Sequence, residues 1–316
     1  MTQQTSIRPH KINNDHIAQI WAAHGLGVVK TVTSPAGGVR NECYIVNEEL
    51  VLRVNTLDPR FPKFSNEAAA YSLLEDSPLR VPRVVVLDES RHIVPYDFII
   101  VTRLPGASVA ESRSRLEPSK IHALAREAGS SLALLHAFTF EGFGKLRELG
   151  RLPFSSWNGY FEDYAHRYMG PAQEHGLVDR ATLSRLDSVL QRARGLLSQV
   201  AQGTLVHSDY HYENILQENG RLTGILDFEW ALVGDPASDF VPAMERERVL
   251  PGSENAFLEG YIAVRQFDPG HSLRIELYQL FLQLETIVTC HVHGDVDGVD
   301  PGLTKMLHML DNIERW

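Results

Sequence analysis

Cysteine is scarce in this 316-residue chain: Cys43 and Cys290 lie far apart and share no metal-ligand spacing. That excludes a disulfide-stapled scaffold and a cysteine-rich metal site, and a reduced, cytoplasmic setting is expected. No run of 18 or more apolar residues exists, so no membrane span is expected. The opening Met1 to Ser6 carries no apolar stretch either, and no secretory signal is expected there. Positive charge is in deficit: 30 Lys and Arg against 40 Asp and Glu leave a formal net charge of −10. Nucleic acid, which needs clustered cations, is therefore not an expected partner, whereas a cationic small molecule is favoured. Internal repeats and low-complexity segments are lacking as well. A hydrophobic content of 43% is enough to bury a core for one large domain or two lobes.

What the chain does have is concentrated between residues 203 and 239. Gly203 to Val206 reads as a short buried strand that enters the loop His207-Ser208-Asp209-Tyr210-His211-Tyr212-Glu213-Asn214. Ile215 to Gln217, a turn at Glu218-Asn219-Gly220-Arg221, and Leu222 to Asp227 read as a hairpin leaving it. Asp209 thus precedes an amide oxygen, that of Asn214, by five residues, and a second carboxylate, Asp227, closes an apolar strand. Phosphoryl transfer to a hydroxyl needs this set: one carboxylate to orient the attacking oxygen, and a carboxylate with an amide to hold Mg²⁺ against phosphates. Asp209 is the candidate catalytic base, and Asn214 and Asp227 are the candidate metal ligands. Glu229 follows Asp227 by two residues, on the same face if the strand persists. It is a candidate substrate contact or second metal ligand. His207 and His211 are expected to brace the loop, and Asp235 and Asp239 to fix and cap the segment beyond it.

Upstream, Asn14 to His24 has helical periodicity with an Asn N-cap, and Val28 to Ser34, Cys43 to Val46 and Leu50 to Val54 read as strands. Ser65 to Glu75 reads as a helix capped by Ser65. Val84 to Leu87 and Phe98 to Val101 complete an antiparallel sheet of about five strands. Leu104-Pro105-Gly106 breaks the pattern, placing a lobe boundary between residues 1–103 and 104–316. Beyond it, helices are expected at Ile121–His136, Ala181–Val200, Ser253–Val264, Leu273–Val292 and Leu303–Ile313. The aromatic segment Trp157 to Tyr168 reads as helix packing, and His291 to Asp300 as a solvated loop between helices. The fold class is α+β.

The run from His207 to Asn214 with Asp227, continued by Gly234-Asp235-Pro236-Ala237-Ser238-Asp239-Phe240, resembles the catalytic and metal loops of the aminoglycoside phosphotransferase and choline kinase-like family. Ser208 replaces the Gly that is commoner there. The resemblance covers most of the chain from about Val28, and Val51-Leu52-Arg53-Val54-Asn55 is similar to the matching strand of hygromycin phosphotransferases. It implies a bilobal protein-kinase-like fold, with a small antiparallel N-lobe bearing one main helix and a larger, mostly helical C-lobe. It also implies a nucleotide-covering loop at Gly37 and Gly38 with Asn41 beside it, and a phosphate contact at Arg53, where the family usually has Lys. Glu67 would pair with that cation, and Arg103 and Leu104 would form the purine-binding hinge.

The expected function is a small-molecule kinase that moves the γ-phosphate of ATP or GTP, with Mg²⁺, onto a hydroxyl of an aminoglycoside or other antibiotic. A choline, homoserine or sugar kinase and a nucleotide-binding pseudokinase are the alternatives. Glu285, Asp295 and Asp297 are candidate contacts for a cationic acceptor, since the family meets such substrates with acids from its C-terminal helices. A monomer or dimer is expected.

Overall fold

The structure is a computed structural model that describes residues 11–34, 41–56, 63–148 and 150–315. The chain opens with helix α1 (Asn14–Ala23), started by an Asn13 side chain that accepts from the His16 N–H. Strands β1 (Val32–Thr33), β2 (Glu42–Val46) and β3 (Leu50–Val54) follow, then helix α2 (Phe64–Leu74), β4 (Val84–Asp88) and β5 (Phe98–Thr102). The five strands form one antiparallel sheet in the order β1-β2-β3-β5-β4. Period-two alternation decides which face each residue occupies. Leu52 and Val54 are fully buried against Ile17, Ile20 and Trp21 of α1. Arg53, between them, must emerge on the other face, where α2 lies.

The predicted strand from Val28 shortens to two residues. The Asn47 side chain takes up the backbone instead, accepting from the N–H groups of Lys30 and Thr31 and donating to the Val28 carbonyl. A polar turn residue has here replaced the ladder. Ser65 is not the cap of α2, which begins one residue earlier with Lys63 at the N-cap position. The Gly37-Gly38 loop lies outside the described residues.

After the sheet come β6 (Ala107–Ser108), α3 (Val109–Ser112), α4 (Pro118–Leu135), β7 (Thr139–Phe140), β8 (Gly144–Lys145), α5 (Trp157–Glu174) and α6 (Arg180–Leu197). Then β9 (Gly203–Val206), β10 (Ile215–Glu218), β11 (Arg221–Ile225) and β12 (Leu232–Gly234) carry the loops of interest, followed by α7 (Ala243–Val249), α8 (Glu254–Ile262), α9 (His271–Val292) and α10 (Val296–Ile313). Two small sheets, β11-β10-β6 and β7-β9-β12-β8, support the loops. One core joins α2, α4 and α8 to these strands, and a second joins α5, α6, α9 and α10.

Helix α10 starts seven residues before the predicted Leu303, so most of the expected loop between the last two helices is helical. Gly298 and Gly302 are packing positions. A Cβ would stand 2.9 Å from Cys290 Sγ at the first and 3.0 Å from Ile287 Cγ1 at the second. Among the described residues no helix is long and apolar enough to cross a membrane.

Candidate active site

Strand β9 delivers the chain into the loop at His207, and buried Asp239 determines how the loop sits. Its carboxylate accepts the backbone N–H of His207 at 2.8 Å and that of Ser208 at 2.6 Å, while His136 Nε2 lies 3.0 Å away. Two N–H groups on one acceptor force a tight bend, and Ser208 adopts φ 68°, in the left-handed region. His207 braces the loop from within: its Nδ1 accepts the Asp209 N–H at 3.3 Å and its Nε2 contacts the Leu226 carbonyl at 2.9 Å. The Asp209 side chain is flanked on both sides. His211 Nε2 lies 3.1 Å from one oxygen, and Asn214 Nδ2 donates to the other at 3.1 Å. Asp209 and Asn214 therefore meet, as their spacing suggested.

Asp227 arrives next to them because Leu226 donates its N–H to the Asn214 carbonyl at 2.8 Å, extending the β10–β11 pairing by one step. The strand ends at Ile225, before the predicted Asp227. Asp227 itself has φ 64°, and a short 3-10 turn, Phe228–Trp230, follows. Glu229 consequently does not continue a strand face. It turns inward, 5% exposed, to accept from Asn41 Nδ2 at 3.0 Å, with Lys63 Nζ at 3.4 Å and Arg53 at 3.5 Å. Arg53 spans this cluster, pairing with Glu67 through one nitrogen and with Asp227 at 2.9 Å through the other. The Tyr71 hydroxyl donates to Glu67 at 2.7 Å and accepts the Asp227 N–H at 3.2 Å. Tyr71, Phe228 and His207 also form a column of ring contacts, at 5.6 and 4.4 Å between centroids.

Charge follows geometry. Burial pushes the Asp209 carboxyl up, but the His211 hydrogen bond and charge, with help from His207 and Asn214, outweigh it and hold the group below its ordinary value. Burial works against the His211 cation, yet Asp209 raises it. The ion pair thus persists from below the usual Asp range to above the usual His value. Burial pushes Glu67 up to about 7 despite Arg53, with Asp227 and Glu229 adding to the rise.

A hard cation would find oxygen donors here. Asn214 turns its Nδ2 to Asp209, which leaves Oδ1 for a metal, and the Asp227 side chain is 30% exposed. Among the described residues no group of three or more His, Cys, Asp or Glu could hold an ion alone. Two protein oxygens completed by phosphates and water is the mode Mg²⁺ prefers, so the donor set fits it.

On the far side of the cleft, α5 and α9 bring Tyr164 and Tyr168 onto Glu285, their hydroxyls donating at 2.5 and 2.7 Å. Trp157, Tyr160 and Phe161 are packing residues, as expected, and Trp157 Nε1 donates to the Tyr278 hydroxyl at 2.6 Å. Lys145 on β8 donates to the Trp230 carbonyl at 3.1 Å and lies 5.6 Å from that ring. Burial lowers its ammonium to about 8 against the pull of Glu285. Asp295 and Asp297 are exposed at the start of α10. Glu285 to Val292 alone spans about 10 Å of helix, so the two acids stand well along the bundle from Glu285. At the predicted hinge, the Arg103 N–H is spent on the Glu49 carbonyl at 2.8 Å.

Sequence reading passed over Lys63, Asn66, Tyr71 and Lys145. Tyr71 was recoverable, since it follows Glu67 by four positions and shares its helix face. The other three carry no local signal.

A sequence model of the phosphotransferase enzyme family (APH) matches residues 31–272. Hygromycin-B 4-O-kinase of Escherichia coli is 24% identical over 249 residues, 78% of this chain and 70% of that protein. The fold is shared with the gentamicin complex of APH(2'')-IIa, at a TM-score of 0.72 and 17% identity over 95% of this chain and 97% of that one. It is shared equally with aminoglycoside phosphotransferase APH(4)-Ia, at a TM-score of 0.70 and 16% identity over 95% and 99%. A family match across three quarters of the sequence, a kinase-like bilobal fold and a loop that joins Asp209 to Asn214 beside the strand end leading to Asp227 lead to one conclusion: the chain belongs to the phosphotransferase enzyme family.

Proposed function

We propose that this chain transfers the γ-phosphate of ATP or GTP to a hydroxyl of a cationic antibiotic of the aminoglycoside class, in the cytoplasm. Residues 1–103 would hold the nucleotide and residues 104–316 the acceptor. The observation that carries this reading is the Asp209 carboxylate, fixed between His211 and Asn214 and adjoining the Asp227–Arg53 pair. Relatives solved with nucleotides, such as the GDP and kanamycin complex of APH(2'')-IIia, support the donor class, and hygromycin-B 4-O-kinase supports the acceptor class.

Asp209, held below its ordinary pKa, is ionised at neutral pH and accepts a hydrogen bond from the acceptor hydroxyl, aiming the oxygen in line with the phosphorus. A weak base suffices, because in a loose transition state the proton leaves late. Arg53 can offer its planar fork to phosphate oxygens, and Asn41 and Lys63 add donors on the same side. Asn214 and Asp227 would hold Mg²⁺, which when bound neutralises the phosphate charge. Glu285, clamped by two tyrosines, offers a fixed carboxylate to an acceptor ammonium.

The test is phosphorylation of a panel of aminoglycosides and other hydroxylated antibiotics with ATP and with GTP. Turnover of one acceptor that disappears in Asp209→Ala supports the proposal. Nucleotide binding with no acceptor-dependent turnover would replace it with a non-catalytic role.

A further inference from the structure

Asn66 sits on α2 immediately before Glu67, with 1% of its surface exposed. Its amide nitrogen donates across the cleft to the carbonyls of Ala231 at 2.7 Å, Glu229 at 3.2 Å and Phe228 at 3.3 Å. Its own carbonyl accepts the Arg147 backbone N–H at 3.3 Å. The three carbonyls belong to the turn that begins at Asp227. The Phe228 carbonyl also accepts the Ala231 N–H at 3.0 Å, which closes the turn, and burial makes any unmet acceptor there costly.

We propose that Asn66 is a positioning residue: it sets the turn that aims the Asp227 carboxylate at the metal and triphosphate. This rests on the phosphotransfer reading above. The Asp227 backbone is left-handed, a conformation that is strained for a non-glycine residue and persists only where its surroundings dictate it. Three contacts dictate it. Tyr71 fixes the N–H of Asp227, Arg53 pairs with its carboxylate, and Asn66 holds the carbonyls that follow.

The three differ in how they respond to an arriving nucleotide. Arg53 donates hydrogen bonds to the nucleotide phosphates in the proposed reaction, so its bond to Asp227 must compete with phosphate oxygens. Asn66 is neutral and faces only backbone, so its hold on the turn does not change with the charge in the cleft. It therefore keeps Asp227 in place while Arg53 changes partner. Through Arg147 the same amide also ties down the segment after Lys145, so helix, turn and segment share one side chain.

The experiment compares wild type, Asn66→Ala, Asn66→Asp and Leu186→Ala. The last truncates a fully buried side chain of α6 remote from the cleft and controls for lost stability. Two quantities are read: the extra thermal stabilisation that Mg²⁺ gives over nucleotide alone, and the Mg²⁺ concentration for half-maximal turnover. Asn66→Ala is expected to raise that concentration about tenfold and to lower kcat, with the acceptor KM unchanged, in line with other groups that orient metal ligands. Asn66→Asp, which sets a carboxylate against carbonyl oxygens, is expected to do more. Leu186→Ala should lower the melting temperature and leave Mg²⁺ dependence alone. If Asn66→Ala behaves as Leu186→Ala does, the inference fails while the phosphotransfer reading stands. Should wild type gain nothing from Mg²⁺ in either measurement, that reading falls and takes this one with it. The thermal measurement needs no acceptor.

Discussion

The two walls of the cleft are held by different physics. On the helical side, the loop around Asp209 hangs from backbone hydrogen bonds that converge on one fully buried carboxylate, Asp239. On the sheet side, Arg53 and Lys63 are held among Glu67, Asp227 and Glu229, charge against charge. Backbone bonds to a buried acceptor fix direction and do not answer to a passing ion. Ion pairs can change partners. In the proposed reaction, the wall that aims an oxygen is thus built for constancy, and the wall that admits and releases a polyanion is built for exchange.

Each wall can be broken separately. Asp209→Ala should lower kcat/KM by about a thousandfold with the melting temperature unchanged, in the range seen when a positioned acid–base group is lost. A large thermal loss in that variant would show that Asp209 also supports the fold. Arg53→Ala should combine effects: it strands buried Glu67, at a cost on the order of 3 kcal/mol or more by denaturant titration, and raises the nucleotide KM. Arg53→Lys should restore most stability and less of the nucleotide binding, because one ammonium cannot replace the fork. Asp239→Asn leaves one acceptor oxygen for two N–H groups. A loss of about 2 kcal/mol is expected, accompanied by a lower kcat. If stability falls while kcat holds, the loop does not depend on that acceptor for its aim.

Two smaller effects depend on pH. His211 holds the Asp209 carboxyl down while burial pushes it up, so His211→Asn should move the acid limb of kcat/KM to higher pH. An unmoved limb would mean that the pair is not what keeps Asp209 ionised. Lys145 faces Glu285 and Glu148 as well as Arg147 and Arg167, and burial lowers it to about 8. As pH rises through that value the pocket loses a positive charge. A cationic acceptor should then bind a few-fold more tightly, provided its amines stay protonated. Lys145→Met should remove this dependence, which an acceptor KM measured from pH 7 to 9 would show.

Much of this was legible because it is local. The Asp209–Asn214 spacing, the hairpin and the alternation that turns Arg53 towards α2 are all written within a dozen residues. What escaped depends on contacts distant in sequence. Nothing near Asn66 announces a hydrogen bond to residue 231, and the strand expected from Val28 was pre-empted by Asn47, nineteen positions on. The start of α10 also escaped, since the segment His291 to Asp300 was expected to be a solvated loop, and Gly298 and Gly302 let α10 approach α9. Glu229 was placed by strand periodicity, and the left-handed Asp227 ended the strand too soon for that rule to apply.

Ser208 carries the same backbone sign as Asp227, next to the proposed catalytic carboxylate, and its hydroxyl is buried without a partner among the described residues. Glycine would accept that geometry without steric penalty and would leave no orphaned oxygen. The chain keeps a side chain where a hydrogen atom would be the more comfortable choice. Whether such a Ser208→Gly enzyme retains its acceptor preference would reveal if that oxygen has been selected for use.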